Sequence, residues 1–79
     1  MPAVSLAPLE IEAAPSLAER AYARLRDAIV EGSLTAGTKL SERRLAVALG
    51  ISAQPVREAL RRLEGEGLVE TRPKSGTFV

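Results

Sequence analysis

Apolar residues recur along this chain at helical spacing in three stretches, and then at strand spacing in a fourth. From Leu17 onward, Leu17, Ala21, Tyr22, Leu25, Ala28 and Ile29 fall on one face of a helix. Ser16 stands before this run and Glu19 three residues later, the spacing of a capping box in which each side chain bonds the other residue's backbone N–H. Gly32 is placed to end the helix in a left-handed conformation. Tyr22 lies on the apolar stripe, so it is expected to pack, with its hydroxyl at the edge. Residues 33–38 read as a loop with Gly37 as its turn signal. Lys39 and Leu40 read as a short extended piece, with Leu40 entering the core.

The second and third periodic stretches are short and close together. Ser41 is a good N-cap, and Glu42 in the first turn suits the helix dipole. Leu45, Ala46, Ala48 and Leu49 supply the buried side of this second helix. Leu49-Gly50-Ile51-Ser52 then forms the connection: glycine permits positive φ, Ile51 plugs the angle between the helices, and Ser52 caps the next one. Pro55 falls in the first turn of the third helix, where a missing N–H is tolerated. It removes the usual donor for a serine cap, so the Ser52 hydroxyl is expected to bond the N–H of Gln54. Val56, Ala59, Leu60 and Leu63 face inward, Ala53, Gln54, Arg57 and Arg61 lie around the opposite face, and Gly65 and Gly67 end the helix.

Beyond that helix the period becomes that of a strand. Leu68 to Arg72 predicts a strand, Pro73-Lys74-Ser75-Gly76 a turn, and Thr77-Phe78-Val79 the returning strand. Phe78 is expected to pack beneath this hairpin. At the other end, residues 1–15 hold Pro2, Pro8 and Pro15 and keep no period, so they read as a flexible arm. The arm has no arginine or lysine, which argues against a role in a minor groove. The pattern therefore predicts a mainly α fold with a small β-hairpin. It is a winged helix-turn-helix over residues 16–79, with three helices, the helix-turn-helix at about 41–62 and a two-stranded wing at about 68–79.

Charge sharpens this outline. The 79 residues carry a net charge of +1, but residues 1–40 sum to −1 and residues 41–62 to +3. Arg43, Arg44, Arg57, Arg61 and Arg62 thus concentrate positive charge on the helix-turn-helix, the electrostatic signature of a nucleic-acid-binding surface. A helix laid N-terminus first in a major groove would bring Ala53, Gln54 and then Arg57 to base edges. Arginine matches the two acceptors of guanine, and glutamine the donor–acceptor pair of adenine. Arg43 starts the second helix and points to the same surface. Arg61 follows Arg57 by four residues and is favoured over Arg62, which is expected to pair on the surface with Glu58 or Glu66. Arg44 reads as solvated. Lys74 at the wing tip suits a phosphate or the minor groove.

Other classes of function find little support. The chain has no cysteine and no histidine, which removes disulfides, thiolate metal sites and the commonest acid–base catalyst. The serines look like caps without a base beside them, and the carboxylates are scattered, so neither an enzyme nor a cofactor is expected. No apolar stretch reaches the length of a membrane span, and the N-terminus lacks the pattern of a signal peptide. These features fit a cytoplasmic, nucleoid-associated protein.

From Tyr22 to Val79 the chain resembles the N-terminal winged-helix domain of GntR-type bacterial transcription regulators, close to the branch that includes the fatty-acid regulator FadR. The residues that carry the likeness include Leu40-Ser41-Glu42-Arg43, Leu49-Gly50-Ile51-Ser52, Pro55-Val56-Arg57-Glu58-Ala59-Leu60, Glu66-Gly67-Leu68-Val69 and Gly76-Thr77-Phe78-Val79. The resemblance implies a sequence-specific module that binds double-stranded operator DNA, as a homodimer in the full-length protein. It implies contacts from Arg43, from Ser52, Ala53 and Gln54, from Arg57, and from the wing around Lys74 and Gly76. Two positions depart from the family's habit. Ala53 stands where arginine is usual, and Gln54 where a small hydroxyl residue is common, which implies a different operator, with Ala53 against a thymine methyl, or an altered sequence. The family's C-terminal effector-binding domain is not in this chain, so a small-molecule effector is expected only for that missing part. The competing expectation is a winged helix that docks a protein partner. It would be favoured if Arg57 and Arg61 were tied up in intramolecular pairs.

Overall fold

A computed structural model describes residues 6–7 and 15–79. Three helices and three short strands follow in the order α1 (Leu17–Glu31), β1 (Lys39–Leu40), α2 (Glu42–Leu49), α3 (Ala53–Gly65), β2 (Glu70–Arg72) and β3 (Gly76–Phe78). Most of the arm expected over residues 1–15 lies outside the described residues.

The helix ends follow from local chemistry. Ser16 Oγ accepts the Glu19 N–H at 3.1 Å, and Ser41 Oγ accepts the Arg44 N–H at 3.2 Å. The capping box at Ser16 is half made: among the described residues, no reciprocal bond runs from the Ser16 N–H to the Glu19 carboxylate. Gly32 and Gly50 close α1 and α2 at φ +87° and +69°, where a β-carbon would clash with the following carbonyl. Ser52 stands at the N-cap of α3 in extended geometry, yet its side chain makes no capping bond. The expected bond to Gln54 is therefore not formed, and among the described residues the Ser52 hydroxyl caps no backbone N–H. α3 ends at the two expected glycines, with Gly65 as its last residue, Glu66 as its C-cap and Gly67 taking positive φ.

The core is built around α3. Val56, Ala59, Leu60 and Leu63 are all buried, and Val56 and Leu63 are completely so. Ala21 and Leu25 of α1, Ala46 of α2, Leu40 of β1 and Val69 before β2 complete the cluster. Burying each such large aliphatic side chain stabilises by roughly 1.5–3 kcal/mol. Two expected core positions are exposed instead. Leu17, in the first turn of α1, is 47% exposed. Ala48 is exposed on the outer side of α2.

The sheet has three strands in the order β1-β3-β2, all antiparallel, so β1 adds a third strand to the expected two-stranded wing. Lys39 pairs with Phe78 and Leu40 with Thr77, while Glu70, Thr71 and Arg72 pair with Phe78, Thr77 and Gly76. Alternation then fixes the faces. Leu40, Thr77 and Thr71 share the inner face, and the Thr71 N–H donates to Glu64 Oε2 of α3 at 3.1 Å. Lys39, Phe78 and Glu70 share the outer face. Phe78 is thus not packed beneath the sheet: it is half-buried on the outside, where the Arg72 guanidinium lies 4.7 Å from its ring centre. The strand expected from Leu68 starts at Glu70, because Leu68 and Val69 turn toward the core instead.

The two serine caps give opposite expectations for stability. Ser41→Ala is expected to cost about 1 kcal/mol, whereas Ser52→Ala, which breaks no capping bond, is expected to change stability by only a few tenths. Urea unfolding of the two variants compares them directly.

Candidate nucleic-acid interface

One face of α3 is spent on the core, and the other carries the candidate site. Gln54, Arg57 and Arg61 are exposed on it, spaced by three and four residues, which stacks them along one side of the helix. Ala53 is different: half-buried, it packs against the core cluster and leaves only part of its surface open. Arg43 is exposed on the first turn of α2 and Lys74 at the tip of the hairpin. Gly76 is half-buried at the start of β3. A groove runs between α3 and the inner face of the sheet, lined by Glu42, Arg57, Leu60, Arg61, Thr71 and Thr77.

Arg57 is held from two sides. Its Nε lies 3.2 Å from Glu42 Oε2, and its Nη1 donates to Gln54 Oε1 at 3.1 Å. The Arg57 and Glu42 side chains are 45% and 41% exposed, so the ion pair stabilises the fold by at most about 1 kcal/mol. Its main effect is orientation, because it fixes the plane of the guanidinium while leaving donors free. Glu42 and Arg57 lie 15 residues apart on different helices, so no local spacing in the sequence links them. Arg61 makes no salt bridge among the described residues.

The wing tip is strained. Lys74 has φ +65°, the only positive φ outside glycine among the described residues. The Ser75 N–H donates to the Arg72 carbonyl at 3.1 Å and closes a turn with proline second and Lys74 third. That is the pattern of a type II turn, whose third position favours glycine or asparagine. A lysine there costs roughly 1–2 kcal/mol of backbone strain.

On the far side of α3, Arg62 does not pair with Glu58 or Glu66 as expected. Its guanidinium lies 3.7 Å over the Tyr22 ring. The Tyr22 hydroxyl donates to Glu66 Oε1 at 2.6 Å, so an aromatic ring, a cation and a carboxylate join α1 to the end of α3. The hydrogen bond to Glu66, followed by desolvation and the negative charge of Glu66, raises the Tyr22 pKa above 10.0.

Residues 17–79 match the family described as bacterial regulatory proteins, gntR family. The chain belongs to the GntR family. An HTH-type transcriptional regulator in an unstable DNA locus of Streptomyces ambofaciens is 47% identical over 58 residues, 73% of this chain and 25% of that protein. The HTH-type transcriptional repressor RspR of Escherichia coli (strain K12) is 41% identical over 61 residues, 77% of this chain and 27% of the repressor. A crystal structure of a GntR-family transcriptional regulator from Pseudomonas syringae pv. tomato str. DC3000 superposes with a TM-score of 0.74 at 41% identity, over 80% of this chain and 27% of that one. The chain thus spans about a quarter of the length of these relatives. Within the GntR family it is a helix-turn-helix, DNA-binding module of transcription regulation. Among the described residues no helix is long and apolar enough to cross a membrane, and no cluster of acids could hold a metal ion.

Tyr22 is the only tyrosine, which makes its titration a clean probe of the α1–α3 contact. The bond from its neutral hydroxyl adds stability that is fully present below pH 10 and is lost as pH rises through the raised pKa. Tyrosinate absorbance is expected to appear at a higher pH in the folded chain than in denaturant, and Glu66→Gln is expected to bring the midpoint down. At the wing, Lys74→Asn is expected to raise stability by about 1 kcal/mol in urea unfolding by relieving the turn.

Proposed function

We propose that this GntR-family module is the operator-reading head of a metabolite-responsive bacterial repressor, close to the FadR-type branch. α3 enters the major groove of double-stranded DNA N-terminus first, and the wing rests on the backbone or in the minor groove. The observation that carries this reading is the exposed face of α3, where Gln54, Arg57 and Arg61 lie in successive turns opposite a fully buried core face. Arg57, fixed by Glu42, is the reader of guanine, and Gln54 beside it meets an adjacent base. Ser52, whose hydroxyl no cap consumes, and Arg43 hold phosphates at the entrances of the two helices. Ala53 offers part of its methyl to a thymine, and Arg61 extends the contact along the groove. Lys74 and the backbone at Gly76 bring the wing to the DNA, and strain at Lys74 fits a residue kept for contact at a cost in stability.

The remaining parts of the reading concern the full-length protein. Residues 16–79 form the winged-helix domain, with residues 1–15 as an arm. A C-terminal domain binds the effector and pairs two protomers on a palindromic site, in the cytoplasm at the nucleoid. Two linked reading heads raise affinity by making the second contact intramolecular. The module itself performs no catalysis.

One observation favours a second reading. Arg57 is engaged by Glu42 and Gln54, as it would be if α3 docked a protein instead of reading DNA. Its exposure and the absence of a salt bridge to Arg61 among the described residues weigh against this. Selection of a binding duplex from a randomised pool, followed by anisotropy titration, separates the two. Arg57→Ala is expected to weaken the selected duplex by roughly 1–3 kcal/mol and a mixed-sequence duplex by much less. Equal affinity of the unaltered chain for both duplexes, with Arg57→Ala changing neither, would favour the protein-docking reading.

A further inference from the structure

The outer face of the sheet carries a cation that the sequence pattern did not single out. Lys39 is exposed on β1, in the row shared with Phe78 and Glu70, and Arg72 and Gly76 form the next row of that face toward the turn. Lys39 does not project straight out. Its side chain runs along the sheet to Gly76, where a β-carbon would lie 2.8 Å from Lys39 Cε and 3.6 Å from Nζ. The lysine stem therefore lies on bare glycine backbone, with its charged head in water, the usual compromise for a long cationic side chain. The acid of this face is already engaged: Glu70 Oε1 lies 3.4 Å from Arg72 Nε. Among the described residues no carboxylate lies within 4.0 Å of Lys39.

We propose that Lys39 is a DNA-backbone contact, its ammonium neutralising one phosphate beside the wing, and that the missing side chain at Gly76 is the track that delivers it there. This rests on the DNA-binding reading above and adds a contact from the strand before α2. A phosphate is the partner because an ammonium on a flexible stem acts as a point charge with three donors and has no fixed fork with which to read a base edge. Such contacts set register and affinity without carrying sequence information.

Lys39→Met is the informative variant, since it keeps an unbranched stem over Gly76 and removes only the charge. Anisotropy titrations of the whole chain across a salt series would use the selected duplex and a mixed-sequence duplex. Loss of one phosphate contact is expected to lower the slope of log affinity against log salt by about 0.9 and the affinity about fivefold near 0.15 M salt. The loss is expected to be equal on both duplexes, with an unchanged thermal midpoint. An unchanged slope overturns the assignment, as does a loss confined to the selected duplex. If the unaltered chain binds neither duplex, the DNA-binding reading itself fails and Lys39 falls with it. If it binds both and Lys39→Met binds identically, only the Lys39 assignment fails.

Discussion

Everything in this fold depends on how α3 is seated. Val56, Ala59, Leu60 and Leu63 form a continuous buried face, and α1, α2, β1 and the segment before β2 all contribute to the core built on it. Because the face is filled by large side chains with no buried polar group among them, α3 has one rotational setting. That setting decides which residues point out. Gln54, Arg57 and Arg61 are presented because their neighbours are consumed by the core, and a rotation of the helix would bury arginine and expose leucine. The exposed face of α3 is in this sense a by-product of the packing.

Polar contacts then set finer details at each end of α3. At its start, Glu42 of α2 reaches across the turn and fixes the Arg57 guanidinium. At its end, Glu64 accepts the Thr71 N–H and ties the wing to the helix, while Tyr22 and Glu66 tie it to α1. These exposed contacts are individually weak, so they orient groups more than they stabilise the fold. In the proposed reading the Glu42–Arg57 pair has a consequence for recognition: an arginine already held in one plane loses less freedom when it meets two acceptors. The same pair could be mistaken for a closed ion pair, but its exposure leaves guanidinium donors available.

The helices were legible because their signals are local. A serine before an apolar period and a glycine after it are enough to bound α1 and α2, and the four buried positions of α3 follow from their spacing alone. What escaped the sequence was non-local. Two residues, Lys39 and Leu40, are too short to announce a partner, so the third strand shows only when β3 lies beside them. Phe78 looks like core by composition, but the register that pairs Thr77 with Leu40 forces it to the outer face. Among the site residues, the exposed arginines were legible from charge clustering. The Glu42–Arg57 pair, the path of Lys39 over Gly76 and the idle hydroxyl of Ser52 were not, since each depends on where two separated segments meet. Ala53 lies between these cases, at the predicted position but turned partly into the core.

The central claim is that α3 and the wing together form a single DNA-facing surface. A titration of the isotopically labelled chain with its selected duplex, followed by amide and arginine side-chain NMR, tests it most directly. The account predicts that the largest shifts fall at Arg43, at Ser52 to Arg57, and at Lys74 to Gly76, with the arginine side-chain signals of Arg57 and Arg61 moving together. It predicts little change at Arg20 and Arg24 on α1. Shifts centred on α1, with α3 and the wing unmoved, would contradict it.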